Sequence, residues 1–280
     1  MTGEMETTAV LAWHGTRADG TTNHLTVKEE LGVKTYLNGE VILCQNALHG
    51  SIKAIDMLFY SPGLWVKRTL HEGVVIQEPD KIGSSQRTVI AEADATQLVT
   101  EWGFWCADRA VRINAVAALR RVGMEAEAEK LAQLAEIIDR KSANAAVDVA
   151  ANVARTARAA NVAAAVNNSV ADVVNGAARV AADAAYIAGY VATRIAHPAN
   201  VAYVTARVAD VFTGAITVAA EVAASAAYAA YVTAIAAYGV AGAIHVDYVT
   251  VRIDETDFIN AELERRLFTL MGITETEGIK

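Results

Sequence analysis

Between Ser142 and Ala243 the chain places 40 alanines in 102 residues, and no leucine occurs between Leu134 and Leu263. Alanine gives up no side-chain entropy in a helix and has the highest helix propensity, so a block of this composition can bury itself only as helices. Small side chains let such helices approach to the lower end of the usual ~8–10 Å axial spacing. Turn-like points at Asn161, Asn167-Asn168-Ser169, Asn175-Gly176, His197-Pro198, Thr213-Gly214 and Gly239 to Gly242 divide the block into several helices. The intervals between them are unequal, which leaves a layered bundle and a solenoid both open.

The block is also nearly uncharged. It holds five arginines and five acidic residues, half the density of the whole chain, in which 20% of residues are charged. So little polar surface predicts self-association, or a protein partner, through Ala/Val/Tyr faces. Tyr186 with Tyr190 and Tyr228 with Tyr231 stand one turn apart and are read as filling gaps between alanine-lined helices. The uncharged run Val222–Val246 is long enough to span a bilayer. Its Ala, Ser, Thr and Gly content and the lack of flanking basic clusters favour a buried helix pair broken at Gly239, so no membrane is expected.

With 24 basic and 32 acidic residues in 280, the net charge of −8 argues against a protein that wraps nucleic acid. Cys44 and Cys106 form neither a CxxC nor a Cys/His pattern, which predicts a reducing, cytoplasmic setting. The acidic Met1–Glu6 segment lacks an apolar run and predicts no signal peptide. His24, His71, His197 and His245 are isolated, so no metal site is expected.

All four tryptophans lie before residue 107, which marks a different kind of domain ahead of the alanine block. Strands are predicted over Thr8–Trp13, Leu64–Leu70, Gly73–Gln77 and Thr88–Ala91. Asn38-Gly39 between Val33–Leu37 and Glu40–Cys44 predicts a hairpin with a type I′ turn. Ser51 is the expected cap of a short helix ended by Ser61-Pro62-Gly63. Asp108–Val122 and Met124–Lys141 read as two amphipathic helices, and a last helix begins at Thr256 or Asp257 with Ile259, Leu263, Leu267 and Leu270 on one face. The fold class is therefore α+β. A mixed domain over 1–98 is followed by connecting helices over 99–141, an all-α alanine-rich array over 142–243 and a closing segment over 244–280.

Candidate chemistry sits in the first domain, at Trp13-His14-Gly15-Thr16, at Ala47-Leu48-His49-Gly50-Ser51 and at Tyr60. In order and spacing these resemble the ADP-ribosyltransferase superfamily, over about 80 residues. The resemblance implies that His14 orients the nicotinamide ribose of NAD, that Tyr60 stacks on nicotinamide, and that Glu92 or His49 assists departure or attack. The second histidine resembles the tRNA 2-prime phosphotransferase branch. The family's leading glycine is replaced by Ala47, and Glu78 competes with Glu92 for the glutamate.

The layout as a whole, including Asp56-Met-Leu-Phe-Tyr60-Ser-Pro-Gly63 and Trp102-Gly-Phe-Trp-Cys106-Ala-Asp-Arg109, resembles uncharacterised accessory proteins of bacteriophages and prophages. Similar alanine-rich arrays occur in toxin-immunity proteins, which act by binding. That resemblance implies a non-catalytic interaction or scaffold protein with no cofactor. The NAD-using enzyme is its alternative, and a nucleotide sponge using Trp102, Trp105 and Arg109 is a third reading. Trp102 and Trp105 at i, i+3 are equally suited to a helix core. No phosphate-loop glycine pattern or nucleophile elbow is present. Lys81 and Arg87, expected to flank a surface loop, are in reach of an anionic ligand.

Overall fold

The computed structural model describes residues 9–22, 29–121, 123–164, 178–179, 181–182, 185 and 248–275. The array's later turns, both tyrosine pairs, the Val222–Val246 run, and His24, His197 and His245 lie outside the described residues. The architecture is a mixed α+β one, an antiparallel sheet together with helices. The chain divides into two compact units, residues 1–100 with 197–206 and 260–280, and residues 101–196 with 207–259.

The first unit is built on five strands: β1 (Val10–Thr16), β2 (Lys34–Tyr36), β3 (Leu48–Gly50), β4 (Trp65–Gln77) and β5 (Ile82–Asp94). Their order is β1-β4-β5-β2, with β3 also paired to β5, and every named pairing is antiparallel. The two expected strands over 64–77 are one, kinked by register shifts at Arg68/Thr69 and Glu72/Val75. Past β3, Ser51 and Trp13 exchange both backbone hydrogen bonds, at 2.7 and 2.8 Å. Pairing thus runs in a circuit from β1 through β4, β5 and β3 back to β1, as in a small barrel whose interior side chains fill it.

That interior is polar. Lys67, Thr69, His71, Ser84 and Arg87 are all buried. Arg87 is paired with the buried Glu29, 2.9 Å from Nε and 2.7 Å from the terminal nitrogen. His71 Nδ1 lies 2.8 Å from the Ser84 hydroxyl, which itself donates to the Gln86 carbonyl, and its Nε2 lies 3.1 Å from the Thr69 hydroxyl. Gly50 is obligatory here because a Cβ would stand 2.8 Å from His71 Nε2 and 3.0 Å from the Ala12 methyl. The placement of Arg87 corrects the expectation of a surface loop: Gln86-Arg87 is mid-strand, and Arg87 is 0% exposed.

The predicted hairpin does not form. Lys34–Tyr36 pairs with Gln86–Thr88 of β5 rather than with residues 40–44. A type I′ turn needs positive φ at both central residues, and only Gly39 has it. Asn46 instead organises the loop, its amide donating to the carbonyls of Asn38 at 3.2 Å and Glu40 at 2.7 Å.

Helix α1 (Ala54–Tyr60) also departs from its predicted cap, because Ser51 is spent on the pairing with Trp13 and Lys53 occupies the N-cap position without capping the helix through its side chain. The orphan N–H groups of Ala54 and Ile55 are taken up from the last helix, by Glu264 Oε1 and Asn260 Oδ1, each at 3.1 Å. Glu264 Oε1 also accepts from Trp13 Nε1 at 2.9 Å, and Phe268 meets the Trp13 ring at 5.1 Å. In this last helix, α6 (Tyr248–Met271), Ile259, Leu263 and Leu267 are buried as the periodicity predicts, while Leu270 is 44% exposed.

The second unit continues α2 (Thr96–Asp108) through a π-helical stretch, Arg109–Ala115, into α3 (Val116–Arg121), then α4 (Glu125–Ala132) and α5 (Arg140–Ala164). The second expected amphipathic helix is split at 133–139 because Asp139 and Ser142 restart it: the Asp139 carboxylate accepts from Ser142 N–H at 2.8 Å. In α5, Ala143, Ala146, Ala150, Val153 and Ala157 are buried at a heptad-like spacing, and the helix contacts α4. Ala178, Ala181 and Ala185 repeat the spacing and are also buried. Among the described residues no helix is long and apolar enough to cross a membrane.

Candidate functional site

Within the first unit, the seam where β1 meets the end of β3 opens into a cavity of about 380 Å³. That volume is in the ~300–1,000 Å³ range of small-molecule sites. His14 reaches it from the middle of β1, His49 from β3 and Tyr60 from the last turn of α1. Three residues separated by up to 46 positions in the chain thus line one cavity. Trp13, Met57, Ser51, Cys44 and Lys81 complete the parts of the lining that bear on chemistry.

The tripeptide His14-Gly15-Thr16 has a local reason. A Cβ on Gly15 would overlap the Ser61 side chain and stand 2.9 Å from Met57 Sδ. Glycine therefore lets the end of α1 close over β1, which brings Tyr60 to the same space as His14. Gly63 plays the matching part, with Thr16 O 2.7 Å from where its Cβ would be.

His14 is partly exposed, yet its Nε2 is shut off from solvent and has no hydrogen-bond partner. Burial, followed by the nearby Arg87, His71, Lys67 and His49, holds its pKa well below the usual imidazole value. At neutral pH the ring is uncharged. His49 Nε2 accepts the backbone N–H of Cys44 at 2.9 Å, which puts its lone pair on Nε2. The His49 carbonyl accepts from the Arg87 guanidinium, so the buried Arg87–Glu29 pair sets the position of β3.

Tyr60 is 53% exposed and donates its hydroxyl to Asp80. That bond, reinforced by burial and the Asp80 charge, pushes its pKa up to about 12. Asp56, one turn earlier in α1, is pushed up to about 6, first by burial and then by the charges of Asp80 and Glu264. Lys81 is salt-bridged to Glu78 at 3.0 Å and faces the cavity.

Glu92 stands apart. It shares a cross-strand row with His14, but Lys67 of β4 lies between them, and two strand spacings amount to on the order of 10 Å. Its carboxylate is 3.5 Å from Lys67 Nζ. Glu78 reaches the neighbourhood only through Lys81. In the second unit, Trp102 is wholly buried, whereas Arg109 lies over Trp105 at 5.7 Å and over Phe258 at 4.5 Å. No group of three or more His, Cys, Asp or Glu side chains able to hold a metal occurs among the described residues.

Sequence reasoning singled out His14, His49, Tyr60 and Lys81 but missed Cys44, whose place on the wall depends on a loop that reads as a hairpin. It also missed Glu29, which has no sequence signal linking it to Arg87, 58 residues later. Compared with models of known protein families, with curated protein sequences and with solved structures, the chain matches none.

Proposed function

We propose that this chain is a non-catalytic recognition protein of phage type. Its first unit binds a nucleotide-sized ligand, and its alanine-rich helices serve as scaffold and self-association surface in the cytoplasm. The observation that carries the reading is the convergence of His14, His49 and Tyr60 on one cavity. His14 lines the cavity as an uncharged ring, so a polar ligand edge meets an imidazole there and no buried charge. The Tyr60 ring offers a face for a planar base, and Lys81 a positive charge for a phosphate.

Calorimetry of the full chain against a nucleotide panel that includes NAD tests this. Saturable binding that weakens at least tenfold in His14→Ala is the expected result, and heat identical in both proteins would remove the reading. For the scaffold part, sedimentation should give a species heavier than one 29.6 kDa chain.

ADP-ribosyl transfer remains the second reading, because His14 and His49 share the cavity as the two-histidine branch would require. Glu92 gives it no support, being ion-paired to Lys67 and outside the lining. Nicotinamide release from NAD, lost in His14→Ala, would promote this reading over simple binding.

A further inference from the structure

We propose that the last helix, α6, is a latch on this cavity, with Glu264 the positioning residue that holds the α1 part of the lining in place. That a ligand feels the latch rests on the reading above; that Glu264 sets α1 does not.

A helix as short as α1 (Ala54–Tyr60) has little means of standing alone, since helices under ~12–15 residues are marginal in water. Lys53 gives it no side-chain cap, and no basic residue in its last turn meets its dipole. Yet α1 supplies Met57 and Tyr60 to the lining. Its first turn is held from α6. Glu264 Oε1 accepts from the Ala54 N–H at 3.1 Å and Asn260 Oδ1 from the Ile55 N–H at 3.1 Å, across more than 200 residues of chain.

The same Glu264 oxygen accepts from Trp13 Nε1 at 2.9 Å. Trp13 lies in β1, next to His14 and Gly15 of the lining. One carboxylate atom therefore ties together two of the elements that line the cavity. At the far end of α1, the close approach of Ser61 and Met57 to Gly15 seats the helix on β1. At the near end the seat is α6.

The latch has a stripe of its own on α6. Asn260, Glu264 and Phe268 recur at i, i+4 and i+8, beside the buried stripe of Ile259, Leu263 and Leu267. Apolar burial holds a helix down without fixing where along its length it sits. The second stripe fixes that, because it matches two particular N–H groups and one indole. Phe268 meets the Trp13 ring at 5.1 Å, and the Arg68 guanidinium lies over both rings, 4.6 Å from Trp13 and 5.5 Å from Phe268.

Two states follow. Latched, α1 is wound and the cavity is formed; unlatched, Ala54 and Ile55 lose their acceptors, α1 unwinds from its first turn, and Met57 and Tyr60 leave their places. A ligand that rests on Met57 or Tyr60 favours the wound state, and by linkage it protects the latch as much as the latch favours it.

The test reads amide hydrogen exchange and 13C-methyl methionine signals in the full chain. Glu264→Leu removes the acceptor, whereas Glu264→Gln keeps a carbonyl oxygen in its place. Expected in Glu264→Leu are at least tenfold faster exchange at Ala54 and Ile55 and a displaced Met57 methyl signal, with the Met124 signal of the second unit unmoved. Glu264→Gln should return both to near wild type. Asn260→Ala, which leaves Glu264 in place, should speed Ile55 several-fold, and it carries the test if Glu264→Leu fails to fold. Unchanged exchange at Ala54 and Ile55 in Glu264→Leu, a Met57 signal that stays put, or wild-type exchange at Ile55 in Asn260→Ala would overturn the latch. With NAD as the probe, saturation should slow wild-type exchange at Ala54 and Ile55 several-fold, and NAD that binds without slowing it would overturn the coupling. If NAD gives no heat with the wild type while Glu264→Leu still frees the two amides, the ligand reading fails and the latch stands.

Discussion

The strand circuit and α5 bury themselves by opposite means. The circuit encloses Lys67, Thr69, His71, Ser84 and Arg87, each tied to a named partner, whereas the described buried face of α5 is a row of alanines with Val153 among them. An alanine face packs closely but says little about register, since any alanine fits where another did. A buried charge is satisfied in one arrangement, and misplacing it leaves an unpaired group in a low-dielectric interior. Specificity is therefore concentrated in the unit that carries the cavity, and shape tolerance in the helices.

The sharpest way to break this contrast is Arg87→Met. It strands the Glu29 carboxylate and frees the His49 carbonyl, and loss of about 3–5 kcal/mol is expected from urea unfolding followed by tryptophan fluorescence. A loss under 1 kcal/mol would mean the polar interior specifies less than its bonding suggests.

Acid should act on the same unit. Burial, followed by Arg87, depresses both His14 and His71 in the folded state. The unfolded chain takes up protons below about pH 6.5 and the native state does not, so this stability is complete above 6.5 and lost as pH falls. Each histidine contributes up to about 1.4 kcal/mol per pH unit, and the slope should flatten in His71→Gln. A slope unchanged by that substitution would assign the acid sensitivity elsewhere.

The tolerant side is probed by Ala150→Leu, which overfills a fully buried position of α5. If small size is what that face requires, about 1–3 kcal/mol is lost, read as helix signal by circular dichroism. An unchanged melt would show slack packing.

The smallest effect is expected at Asp56. Its raised value near 6 means the folded state binds the proton more tightly, so its contribution is present below about pH 4 and declines as pH rises through 6. Asp56→Asn should therefore gain about 1 kcal/mol at pH 7, allowing for partial solvent access, and nothing at pH 4. Equal effects at both pH values would point to packing instead of charge.

Much of the first unit was legible because strand signals are local. Alternation located β1, β4 and β5, whereas the close approach of Ser61 and Met57 that requires Gly15 emerged only from the structure. The misreadings share one origin. Asn38-Gly39 is a strong hairpin signal, yet β2 found its partner in β5, some fifty residues away, where a long central strand offers more pairing than a local ribbon. Ser51 had the chemistry of a cap, but Trp13 claimed its backbone and α6 supplied the caps from over 200 residues away. Competition between distant partners is invisible to any window along the chain.

By itself, then, the sequence determined the division into a strand-rich, tryptophan-bearing front and an alanine-rich remainder, whose described stretch α5 is helical, because propensity and composition act residue by residue. It also supplied the three side chains His14, His49 and Tyr60 as chemistry without a place. Only the tertiary structure decided that they line one cavity, that Arg87 belongs inside with Glu29, and that Cys44, held at φ 66°, lines that same cavity. Those outcomes depend on which strands meet across the circuit, and that is settled by the balance of pairing, burial and charge over the whole unit.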